Sequence, residues 1–377
     1  MFTALLAKIA PARAAPEPID CDRHTSVDMR SVPVAIAVTM ALLAGCASEP
    51  AVDPRPDSSD GPATSTEVPA TAAPATTPAR REQNGLLPVL VGEPIELASL
   101  TGRIVFDNFD DVFTMRADGT DLRVVASEPG PEFDGAWSPD GSFIVYRDSR
   151  RGINEDDEVY IVAADGSGAR NLTKHPANDW GPDWSSDGEW IAFNSDRDGG
   201  ALTGYLVRPD GTDLHRIDVD GWFEYPSFSP DGRHIAFEAH AGSDYDVYTV
   251  ELETGRMTQL TDAAGHDGWA AWSPDGSTIA YATERDDCAR TPPGRDCWYG
   301  DGEPGEHHDI WIMDIDGSNQ RRVTPEAGQF VTWSPDGQYL LISGRTLFAI
   351  RPDGTGRVEI RPPELRYAPG GIPDWVE

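Results

Sequence analysis

The sequence predicts an all-β fold assembled from copies of one small unit, and three observations carry that prediction. An aromatic-Ser-Pro-Asp-Gly stretch recurs at Trp137–Gly141, Trp184–Gly188 (with Ser186 for proline), Phe228–Gly232, Trp272–Gly276 and Trp333–Gly337. Its aromatic leads are 47, 44, 44 and 61 residues apart. A self-similar period in the forties marks an array. Within each period four short apolar segments return between turn residues, which is the content of one four-stranded antiparallel propeller blade. Finally, no long stretch repeats apolar residues at helical spacing, while 37 Gly and 32 Pro suit a chain of many tight turns.

The elements follow in chain order. Residues 1–28 fit no domain and read as a mis-called or removed extension, with Met29 as the true start. Residues 29–45 read as a lipoprotein signal peptide. Met29-Arg30 gives a minimal positive start, residues 32–43 an apolar run too short to span a bilayer, and Leu43-Ala44-Gly45-Cys46 a lipobox. The expectation is a lipidated Cys46 on the extracytoplasmic face of a bacterial membrane, since more than one acyl chain gives stable anchoring. From 46 to 84 the chain is Ala, Pro, Thr, Ser and Asp with almost no large aliphatics. Such a segment buries too little surface to offset its ordering entropy and reads as a spacer.

Residues 85–377 hold the array. In the unit led by Trp184, Ser-x-Asp-Gly turns the chain, because Asp bonds its own backbone and Gly accepts φ > 0. Trp190–Phe193 and Tyr205–Arg208 form the next strands, a Pro209-Asp210-Gly211 turn follows, and Leu214–Asp218 is the last. An unmarked unit lies upstream, with strands at Ile104–Phe106, Val112–Met115 and Leu122–Val125 but no lead of its own. Pro373-Asp374-Trp375 repeats Pro182-Asp183-Trp184. The C-terminal strand therefore supplies the missing lead, and the ring closes with six blades, hiding its sheet edges.

At these residues the chain resembles the TolB-type β-propeller repeat, a relative of the WD repeats: aromatic-Ser-Pro-Asp-Gly, then Ile-Ala-Phe, then a strand ending in Asp-Gly, then Leu-Thr (Leu172-Thr173, Leu260-Thr261). The resemblance covers roughly 97–377. It implies a propeller that serves as a binding or scaffold module for an envelope protein or glycan, without a cofactor. TolB itself carries an extra N-terminal α/β domain and docks to the Pal lipoprotein; residues 46–84 have no room for that domain. Similar propellers precede serine peptidase domains, but no Gly-x-Ser-x-Gly occurs here.

The net charge of −34 excludes a binder of nucleic-acid phosphates, which needs a basic stripe. It suits a solvated, monomeric surface and cationic partners. The repeat residues read as scaffold. Ligand contacts are expected just before each lead, where loops enter the blades around the central channel: Phe133 and Asp134, Asp179 and Trp180, Phe223, Glu224 and Tyr225, Asp267 and Trp269, and Phe330. Aromatic faces beside carboxylates suit a sugar or a Lys- or Arg-bearing peptide, and buried wedges of the ring are the competing reading. His175, His266 and Gln329 share that face. Some related propellers are metal-dependent pectin-fragment lyases, so a metal-dependent lyase or hydrolase in the channel is the alternative function. An insertion at about 284–308 carries Cys288 and Cys297, read as a local disulfide, with a zinc site using His307 and His308 as the competitor. It is expected to project from the face opposite the aromatic mouth.

Overall fold

The computed structural model describes residues 93–199, 201–219, 221–241, 244–285, 308–324, 328–362, 365 and 371–377. Cys46, the signal and spacer segments, Cys288, Cys297 and His307 lie outside the described residues.

Six four-stranded antiparallel sheets form the ring. The first is built from β1 (Arg103–Asp107), β2 (Val112–Arg116) and β3 (Arg123–Ala126), with β24 (Asp374–Val376) as its innermost strand. Trp375 pairs with Ile104 and its indole N–H donates to the Thr101 carbonyl at 2.8 Å, so the two ends of the ring are laced by ladder and side chain together. The other five blades each use consecutive strands. Their first strands are β4 (Glu132–Trp137), β8 (Asp179–Trp184), β12 (Glu224–Phe228), β16 (Asp267–Trp272) and β20 (Gly328–Trp333). Their second strands are β5 (Phe143–Asp148), β9 (Ile191–Ser195), β13 (His234–Ala241), β17 (Thr278–Thr283) and β21 (Leu340–Gly344). First strands pack against first strands around the channel.

The second strands are apolar on both faces because each blade is covered on both sides by its neighbours. Between the first and second blades, Val105 and Val112 meet Trp137, Ile144, Tyr146 and Val162, all buried. Each such side chain contributes about 1.5–3 kcal/mol by leaving water. The aromatic leads are therefore interblade packing residues.

The Ser-x-Asp-Gly turns show why that tetrad recurs. The Ser138 hydroxyl donates to Asp140 Oδ1 at 2.7 Å and accepts from the Phe143 amide at 2.9 Å. Asp140 Oδ1 accepts the Ser142 amide, and Gly141 sits at φ 67°. The same bonds repeat at Ser185, Ser229, Ser273 and Ser334. The five Asp residues are spent on turns.

Antiparallel order fixes which loops share a face. The loop entering a first strand and the loop joining second to third strands emerge together; both hairpin turns emerge opposite. The end of β17 and His308, which flank the insertion, therefore lie at the mouth face, while the insertion expected to project oppositely lies outside the described residues. Its flanking residues sit at the mouth: His308 Nε2 lies 3.2 Å from Glu284 Oε1, and its ring lies 5.2 Å from that of Trp269.

Candidate functional site

Every first strand of the five marked blades breaks register on the mouth side, between Phe133 and Ala136, Trp180 and Asp183, Glu224 and Ser227, Gly268 and Ala271, and Gly328 and Phe330. A β-bulge of this kind re-aims a side chain and frees an amide from the ladder. At four bulges a residue takes left-handed backbone: Asp134 (φ 55°), Gly181 (61°), Tyr225 (47°) and Trp269 (49°). Large side chains rarely accept that geometry. Here the preceding blade holds it. Asp107 Oδ2 accepts the Asp134 amide at 3.3 Å, Asn194 Oδ1 the Tyr225 amide at 3.2 Å, and Glu238 Oε1 the Trp269 amide at 2.6 Å. The Gly181 amide bonds the Asp134 carboxylate. Gly181 also needs its missing side chain, since a Cβ there would meet Asn194 Oδ1 at 2.8 Å and Tyr225 at 3.3 Å.

Asp107, Asn194 and Glu238 were not singled out in the sequence. Their signal is a polar residue directly after the aromatic of an otherwise apolar second strand, as in Phe106-Asp107, Phe193-Asn194 and Phe237-Glu238.

The residues expected at the mouth divide into two groups. Asp134, Trp180, Glu224, Tyr225, Trp269 and Gln329 are half-buried. Phe133 and Phe330 are each 8% exposed, and Phe223 is fully enclosed, its ring 4.5 Å from that of Phe237. The expectation that Phe223 meets a ligand is therefore corrected: it is core. Asp179 and Asp267 are likewise occupied. Arg197 Nη2 reaches Asp179 Oδ2, and Arg285 Nη2 reaches Asp267 Oδ2, each at 2.8 Å with both partners largely out of water. Each guanidinium also lies over a ring, Arg197 on Tyr205 at 4.7 Å and Arg285 on Trp311 at 4.5 Å. These acids close the blade rather than line the mouth.

A cavity of about 280 Å³ runs along the channel from the bulges towards the hairpin end, lined by Asp134, Tyr225 and Trp269 at the bulges, by Asp183 and Asp374 deeper in, and by Pro139 and Pro230 of the hairpin turns. Its carboxyls stand above their ordinary range. Burial pushes Asp183 up to about 7 against the Phe228 amide, which donates to it at 2.7 Å. Burial also raises Asp134 and Asp374. Beside the cavity, burial and then the Glu238 charge raise Glu224 to about 7. Burial, Asp134 and Glu224 together push the Tyr225 phenol well up.

His266 pairs with Glu238 (Nε2 to Oε2, 2.9 Å), and its ring lies 4.5 Å from Trp269 and 5.0 Å from Tyr245. Burial pulls this imidazole down, but the charge and hydrogen bond of Glu238 outweigh it and the net direction is up. His175 is half-buried beside the blade led by Trp184, its amide donating to Glu158 at 3.3 Å. Among the described residues no group of three or more His, Cys, Asp or Glu side chains is placed to hold a metal ion.

The fold and site define a closed six-bladed β-propeller with an acid- and aromatic-lined channel mouth. Residues 106–225 match the family model described as the TolB beta propeller domain. The Tol-Pal system proteins TolB of two Francisella tularensis strains, mediasiatica FSC147 and holarctica OSU18, are 36% identical over 78 residues. That segment is 20% of this chain and 18% of each relative, so the match spans under a fifth of the curated relatives' length. Among solved structures, TolB from Acinetobacter baumannii superposes with a TM-score of 0.58 at 20% identity, over 73% of this chain and 67% of that one. A chain of a nidogen/laminin complex gives 0.57 at 9% identity, over 73% and 98%. The tricorn protease gives 0.55 at 18%, over 74% and 26%. At these identities the likeness is one of fold. Among the described residues no helix is long and apolar enough to cross a membrane.

Proposed function

We propose that this protein is an extracytoplasmic binding module, anchored to a bacterial membrane through a lipidated Cys46, that docks an envelope protein or glycan at its channel mouth. One observation carries the reading. Three bulges, each braced from the neighbouring blade, hold Asp134, Tyr225 and Trp269 in strained left-handed backbone at the wall of a cavity, and strain of this kind concentrates at functional sites. The curated relatives are named as Tol-Pal system proteins, which supports the envelope setting.

The lyase alternative draws on His175, His266 and Gln329. With His266 committed to Glu238 and in ring contact with Trp269, the binding reading is the better supported. An affinity capture from envelope extract tests it, comparing the full-length chain with the Trp180→Ala/Trp269→Ala variant. The expected result is a partner retained by the wild type and lost from the variant. Equal capture by both would remove the mouth from the reading.

A further inference from the structure

The mouth suits more than one ligand in outline, and its lining selects among them. The charged side chains around the cavity are Asp134, Asp183 and Asp374, with no lysine, arginine or histidine among the described lining residues. The nearby cation, Arg147, is committed: its Nε donates to Asp157 Oδ2 at 3.0 Å and its Nη2 to Asn154 Oδ1 at 3.2 Å. Like Asp183 and Asp374, Asp134 accepts a neighbouring amide, and its other carboxylate oxygen, Oδ2, is buried with no hydrogen-bond partner. Over this acid field stand ring faces. Tyr225 and Trp269 have centroids 6.0 Å apart, and Phe330 meets Trp269 edge-on at 5.1 Å. Aromatic faces beside unneutralised carboxylates make a seat for a cation. A volume of about 280 Å³ lies below the usual range of a small-molecule pocket, roughly 300–1,000 Å³, and suits one side chain rather than a folded element.

Resting on the mouth as the docking site, we propose that it seats a single cationic side chain of a partner protein, a lysine or an arginine. The alkyl stem lies along Tyr225 and Trp269, and the charge meets Asp134. A proton exchange accompanies seating. Asp134 faces Asp107, Arg147, Asp157 and the Tyr225 phenol; Glu224 faces Glu238, Trp222 and His266; Asp183 faces Asp374. Burial keeps these acids raised, with Glu224 and Asp183 near 7, so the empty mouth holds protons that an entering cation displaces. Affinity then rises with pH as these acids lose their protons.

The test is calorimetric titration of the full-length chain with short capped peptides bearing lysine, arginine, acetyl-lysine or norleucine, and with a neutral tetrasaccharide. Each is run at pH 6 and 8 in buffers of different ionisation heat. Lysine and arginine peptides are expected to bind at least tenfold more tightly than norleucine, more tightly at pH 8, and with proton release. Asp134→Asn is expected to erase that preference. The lysine-to-norleucine ratio is read on the wild type and so stands apart from any folding defect of the variant. Equal affinity for norleucine or acetyl-lysine, or an unchanged preference in Asp134→Asn, overturns the proposal. If the tetrasaccharide alone binds and Trp269→Ala abolishes it, the docking site survives while the cation seat falls. If none of the probes binds, both fall.

Discussion

At the hairpin face Asp140, Asp187, Asp231 and Asp275 each accept a serine hydroxyl first and a backbone amide besides, in contact with water, and these bonds hold their carboxyls below the ordinary range. At the bulges Asp107 and Asp134, and deeper in the channel Asp183, also accept amides, yet burial outweighs those bonds and holds them high, Asp107 and Asp183 near 7. The bonding chemistry is similar and the solvent differs. A carboxylate that keeps its water gains from each donor, whereas one that loses its water needs more donors than a bulge supplies. One end of each blade is built to be stable, and the other carries unbalanced charge next to a cavity.

The contrast breaks most sharply at the buried ion pairs that close the mouth end. Arg197→Leu would leave Asp179 enclosed without its cation. Removing one partner of such a pair costs about 3–5 kcal/mol, because the remaining charge is uncompensated. Asp179→Asn/Arg197→Leu should recover most of that loss. Urea midpoints of the two variants and the wild type decide it. A single-variant loss under about 1 kcal/mol, the range of an exposed pair, would mean that solvent reaches Asp179.

The sequence made the hairpin end legible and the mouth end only in part, for one physical reason. Hairpin chemistry is local: Ser138, Asp140 and Gly141 satisfy one another within five residues, so a short pattern states the geometry. Ring closure was also readable, because Trp375 restores a packing aromatic that the first blade lacks. The mouth depends on partners far along the chain. Trp269 is held by Glu238, 31 residues away, and Asp134 by Asp107, 27 away. Asp179 and Asp267 read as ligand-facing acids because Arg197 and Arg285, each 18 residues on, were not paired with them. The recurrence of Ser195-x-Arg197 and Thr283-x-Arg285 at the ends of second strands was the available clue.

A subtler separation of the two ends comes from pH. For mouth carboxyls the folded value is raised, so their contribution is fully present below the unfolded value, about 4, and is lost as pH rises through the folded one. Burial sets that upper limit near 7 for Asp107 and Asp183 and near 8 for Glu132. Hairpin carboxyls run oppositely: their contribution is present above about 4 and is lost as pH falls through their depressed values. Stability should therefore decline from about pH 5 to 8 on account of the mouth. Asp183→Asn, which keeps an acceptor for the Phe228 amide, should flatten that slope, while Asp187→Asn should leave it unchanged. Urea midpoints at pH 5, 6.5 and 8 measure both slopes. A steeper alkaline decline in Asp183→Asn than in Asp187→Asn would reverse the assignment.

The smallest expected effect lies within the hairpin end and asks whether its five turns are equivalent. Four carry proline after the serine, and the prolines of three pack against the turn glycine of the following blade. A Cβ on Gly276 would fall 3.8 Å from Pro230, one on Gly337 3.7 Å from Pro274, and one on Gly188 3.8 Å from Pro139. In the remaining turn Ser186 stands instead, 3.5 Å from the corresponding point on Gly232. Proline fits the second position of such a turn and narrows the unfolded ensemble without straining the folded one. Ser186→Pro should therefore stabilise the ring by about 0.4–1 kcal/mol. The gain should be independent of pH between 5 and 8, since no titrating group changes. A loss of stability would show that the Ser186 turn differs from its four counterparts in backbone, not only in sequence.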